Sequence, residues 1–115
     1  MNEYNLLVEE GKKYIYPERV EEWENFVKKI SPEYIKQSLE IIKIIHNENV
    51  NNGLVYINKI KKDISTDAYS MIAFIVTRFS KKGPDFYTRL RGNQLTEEEQ
   101  RIVDKFDEEN GVHFN

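Results

Sequence analysis

Apolar residues in this chain recur every three or four positions, and the runs that carry this spacing open and close on helix-capping residues. Val20, Trp23, Val27 and Ile30 form one stripe. Ile35, Leu39, Ile42 and Ile45 form a second, and Tyr69, Ile72, Ile75, Val76 and Phe79 a third. Ile102, Val103 and Phe106 make a fourth. A helix turns once in about 3.6 residues, so each set lines one face, whereas a half-buried strand needs strict alternation. The caps agree with the stripes. Tyr16-Pro17-Glu18 and Ser31-Pro32-Glu33 each place Pro in a first turn, where its missing N–H has no intrahelical partner. Ser31 and Ser65-Thr66-Asp67 supply N-caps, and Thr96 and Glu99 have the spacing of a capping box. Lys81-Lys82-Gly83-Pro84 reads as a stop. Its lysines meet the negative end of the helix dipole, Gly83 takes the left-handed terminator role and Pro84 forbids continuation.

The remaining segments give weaker signals. Tyr4, Leu7 and Val8 predict an N-terminal helix that frays near Gly11. A short helical turn is expected from Asp85 to Arg91, ending at Gly92, and Asn110-Gly111 closes the last helix ahead of the tail 111–115. Asn52-Gly53 between β-branched runs has the look of a two-residue hairpin. Alternation fails on both arms, however, at Lys43 and at Asn58 or Lys59. Leu54, Ile57, Ile60 and Ile64 instead share a helical face, so two helices are expected there.

These stripes and caps together predict an all-α fold: a compact, single-domain bundle of six to seven mostly antiparallel helices spanning 1–115. The 115 residues suit one domain, and 39% apolar with 32% charged residues fits a globular chain. Cysteine is absent, which removes disulfides, Cys-based zinc sites, iron–sulfur clusters and thiol nucleophiles. The longest apolar run, Met71 to Val76, falls far short of the ~20 residues that cross a bilayer. The first residues lack a basic n-region, so no signal peptide is expected; a cytoplasmic location is the expectation. Abundant Ile, Lys and Asn, with twelve Lys to five Arg, point to a low-GC bacterium or its phage. Most aromatic residues fall on the stripes and are expected in the core, Trp23 first among them; Tyr14 and Tyr16 flank a helix break and are expected to be partly exposed.

Groups that carry chemistry are few. Histidine occurs only at His46, in the last turn of its helix, and at His113 in the tail. No Gly-rich phosphate loop, paired-histidine motif or nucleophile elbow occurs. No metal and no cofactor is expected. Glu24 with Lys28, Lys36 with Glu40 and Glu97 with Arg101 have the spacing of solvated helix ion pairs. An enzyme built around His46 and nearby carboxylates is therefore the third choice.

Charge is unevenly distributed. Residues 77–92 hold five basic residues and one acid, and residues 93–115 hold two basic residues and seven acids, in a chain of net charge −3. The basic segment comprises Arg78, Lys81, Lys82, Arg89 and Arg91, interleaved with Phe79, Phe86 and Tyr87. The acidic helix carries Glu98, Asp104, Asp107, Glu108 and Glu109, the last three opposing the dipole at its C-terminus. These acids lie against Lys82, Arg89 or Arg91, or they face outward and steer a basic protein partner, or they are solvated with no role. The second option makes the chain a small, acidic, non-enzymatic regulator. By analogy of size and charge alone, its class would be that of immunity proteins and antitoxins. The alternative is a nucleic-acid binder using 78–91 with Tyr87, which the pI near 5.5 disfavours. The Ile-rich faces of 35–45 and 54–64 leave monomer and homodimer both open.

Overall fold

Each apolar stripe that is described winds into a helix. The computed structural model describes residues 2–93 and 96–109, apart from the side chains of Asn93, Glu99, Ile102, Val103, Phe106, Asp107 and Glu109. Seven α-helices are formed by these residues: α1 (Glu3–Lys12), α2 (Val20–Lys29), α3 (Pro32–Asn47), α4 (Val50–Ile60), α5 (Thr66–Phe79), α6 (Gly83–Asn93) and α7 (Glu97–Glu109). Two 3-10 turns, Pro17–Arg19 and Lys61–Asp63, lead into α2 and out of α4. No strand forms among the described residues; an isolated antiparallel bridge joins Ile15 to Ser80. The all-α bundle read from the sequence is thus the observed architecture.

The helix starts follow capping chemistry, with amendments. Asn2 Oδ1 accepts from the Asn5 N–H at 2.9 Å, Asn49 Oδ1 from Asn52 at 2.8 Å and Ser65 Oγ from Ala68 at 3.1 Å, each satisfying a donor the helix leaves orphaned. Ser31 holds the cap position of α3 without a side-chain bond. Pro17 opens the 3-10 turn before α2 rather than α2 itself. The capping box at Glu99, the buried face of Ile102, Val103 and Phe106, and the closing Asn110-Gly111 lie outside the described residues.

Three glycines act differently from their local sequence signals. α1 continues through Gly11 to Lys12, and a Cβ on Gly11 would lie 2.3 Å from the Trp23 indole. Gly53 sits inside α4, where a Cβ would lie 2.7 Å from Ile45 Cγ1, so it lets α4 approach α3 rather than turn a hairpin. Gly83 does not terminate α5 in a left-handed conformation. It begins α6, and a Cβ there would lie 2.1 Å from the Thr77 carbonyl oxygen. All three are needed for close approach.

The central element is α5, which packs against α3, α6 and α7 and buries every residue from Ala68 to Phe79 except Met71 and Arg78. Edge contacts of Trp23 and Phe26 with Phe79, at centroid distances of 5.3 and 5.4 Å, seat α2 on its end. The linker before α2 then closes the C-terminus of α5. Tyr16 N–H donates to the Phe79 carbonyl at 3.1 Å, Tyr16 OH to the Lys81 carbonyl at 3.1 Å, and the Arg19 guanidinium to the Arg78 carbonyl. Carbonyls that a helix end leaves unpaired are thereby satisfied from more than fifty residues away in sequence.

Candidate interaction surface

Cations of the basic segment reach several neighbouring helices. Arg78 turns back across the molecule, where its Nε and Nη2 donate to Glu22 of α2 at 2.7 and 2.9 Å in a two-pronged pair. Lys82 Nζ donates to the Ile45 carbonyl in the last turn of α3 at 3.2 Å, a cation at the negative end of that dipole. Arg89 donates to Asp85 at 3.0 Å, the pair expected within its helix, and to Asn51 Oδ1 of α4 at 2.9 Å. Tyr87 is only 5% exposed; its hydroxyl accepts from Gln100 Nε2 at 2.7 Å and lies 3.5 Å from Asp104 Oδ1. Lys81, Lys82, Arg89 and Arg91 are all exposed. Three cations of the segment thus brace α2, α3 and α4, and its tyrosine lies under α7.

The acidic helix presents a different surface. Glu97, Glu98, Arg101, Asp104, Lys105 and Glu108 of α7 are all exposed, and at ~100° per residue they fall within an arc of about 120°. None of the four acids forms an ion pair with a base among the described residues. Arg101 and Lys105 stand between them, so the face is mixed with an acidic excess. The Asp107 and Glu109 side chains lie outside the described residues.

Gln100 anchors this face, and sequence reasoning missed it. Its Nε2 donates both to Tyr87 OH and, at 2.8 Å, to Asp104 Oδ1. The four-residue spacing of Gln100 and Asp104 was the available signal. A shallow crevice of about 280 Å³ lined by Arg91, Thr96, Glu97 and Gln100 opens at the start of α7.

No family model, curated protein or solved structure matches the chain.

His46 lies exposed at the end of α3 with the Tyr14 ring edge-on at 5.2 Å. Among the described residues no three His, Asp or Glu side chains are grouped to hold a metal ion. Nor do Glu24 and Lys36 take the partners their spacing indicated: Glu24 pairs with Lys12 at 3.4 Å and Lys36 with Glu3, both across helices. Further polar contacts gather around α1. Hydrogen bonds from Lys43 of α3 and from Lys13 hold the Glu10 carboxyl below its ordinary pKa, and the Glu10 bond in turn raises Lys43. Burial, with Glu40 adding to it, raises the Tyr56 phenol.

Proposed function

We propose that this protein works by noncovalent association with a basic protein partner, which it meets through the outward face of α7. The supporting observation is the arc holding Glu97, Glu98, Asp104 and Glu108, exposed and without ion pairs among the described residues. Described contacts of Arg78, Lys82 and Arg89 reach α2, α3, α4 and α6, and Arg91 borders Glu97 in the crevice at the start of α7. An acidic face of this kind speeds encounter with a basic partner and rejects acidic ones. It also repels phosphate backbones, and a tyrosine buried under α7 is not available to stack on a base; both weigh against the nucleic-acid alternative.

The test compares two baits, the native chain and the Glu98→Lys/Glu108→Lys variant, in affinity capture from the source cell at ~50 and ~300 mM salt. A basic protein retained by the native bait and lost with the variant or at high salt is the expected result. Identical captured sets from both baits overturn the reading. For the captured partner, the variant should lower the association rate by roughly tenfold at low salt and flatten its salt dependence.

A further inference from the structure

We propose that α1 is a strap that opens as a unit, separately from the rest of the bundle, and that ionic strength sets how often it uncovers Trp23. Of its ten residues only Leu7, Val8 and Gly11 are buried, and it packs chiefly on α2 and α3. Crevices run along both flanks. One of about 490 Å³ lies between α1 and α2, lined by Val8, Glu24 and Lys28. The other, about 310 Å³, lies between α1 and α3, lined by Leu6, Leu7, Lys36 and Leu39. The helix therefore touches the core along one narrow ridge, where Gly11 rests on the indole of Trp23. A buried hydrogen bond, from Trp23 Nε1 to the Val8 carbonyl at 3.2 Å, crosses that ridge.

The described ion pairs that tie α1 to its neighbours are half-exposed. Glu3 pairs with Lys36, Glu10 with Lys43 at 2.9 Å and Lys12 with Glu24 at 3.4 Å, with side-chain exposures from 31% to 57%. Pairs in that position are screened by salt. Helices held by few buried apolar contacts occupy the low end of local opening free energies, while core helices open only with the whole domain. Trp23, wholly buried by α1 and its neighbours, becomes the group that opening exposes. It is also the chain's single tryptophan.

The experiment is native-state hydrogen exchange on the full chain, with Trp23 emission in parallel, at ~20 and ~500 mM sodium chloride. The expected result is that α1 amides exchange roughly a hundredfold or more faster than those of α5. Salt should raise the α1 rate a further three- to thirtyfold, roughly what the screening of three such pairs gives, and leave α5 unchanged. Exchange of α1 in step with α5 overturns the strap, and fast exchange without a salt response overturns its ionic control. Gly11→Ala drives a methyl into the indole, so it should release α1 and red-shift Trp23 while α3 to α5 keep their protection. Loss of protection across all helices in that variant would place α1 in the cooperative core and end the proposal.

Discussion

A methyl group added at each of three glycines should have three different outcomes. At Gly83 the new Cβ meets backbone, the Thr77 carbonyl oxygen, which cannot rotate away. Gly83→Ala should cost about 3 kcal/mol or more. At Gly53 it meets the Ile45 side chain, which shifts at a cost, while alanine in a helix regains up to about 1 kcal/mol; a net loss of about 1 kcal/mol is expected. Gly92 lies in α6 with nothing within 4 Å of a Cβ, so Gly92→Ala should stabilise by about 0.5 kcal/mol. Urea midpoints in that order are the check; Gly83→Ala unfolding at the wild-type midpoint would refute it. The sequence does not distinguish these roles. Asn52-Gly53 and Lys82-Gly83-Pro84 carry ordinary turn signals, and what makes each glycine necessary is a different helix, brought near only by folding.

At the scale of elements, α2 and α5 are joined by the Arg78–Glu22 pair, whose side chains are 20% and 35% exposed. Two-pronged geometry and partial burial favour a real coupling. A double-mutant cycle with Arg78→Met and Glu22→Gln should return about 1 kcal/mol, and a value indistinguishable from zero would reduce the pair to decoration. The seating of α1 carries a pH signature as well. Glu10 faces Lys43 of α3 and Lys13, with Glu40 and Tyr14 near Lys43, and its carboxyl is held below 4.5 when folded. A carboxyl lowered on folding contributes fully above its unfolded value and loses that contribution as pH falls through the folded one. Trp23 exposure should therefore grow below about pH 4.5, and Glu10→Gln should show raised exposure already at pH 6 with a flatter acid limb. An identical acid limb in both proteins would rule this out. The helices were legible because caps and stripes are local. The tyrosine under α7 was not: Tyr87 is buried with Phe86 and Leu90, and its partners Gln100 and Asp104 come from the next helix. The partners of Arg78 and Lys82 lie 56 and 37 residues away, beyond any local pattern, whereas the acidic character of α7 was plain from composition.

For the whole molecule, the apolar faces that left a homodimer open are largely covered within one chain, Ile60 and Ile64 remaining half-buried. Ile35, Ile41, Ile42, Ile45 and Ile57 are fully buried, by α5 and by each other's helices, and Leu39 and Leu54 nearly so. Among the described residues the large exposed apolar side chains are Tyr4, Leu6 and Val55, which lie on two helices separated by α3. Scattered exposed apolar groups are normal for a monomer, while a stable dimer needs a contiguous patch of about 800 Å² per partner. The Cα radius of gyration is 13.0 Å, near the roughly 13 Å that a single compact domain of this length adopts. Net charge of −3 adds mild repulsion between copies. Sedimentation at ~10 µM should therefore give a species of 13.7 kDa, unchanged between ~50 and ~300 mM salt. A dimer at that concentration would mean that copies associate through surfaces this chain leaves polar, and the outward face of α7 would then have to be weighed as a contact between copies rather than with a different protein.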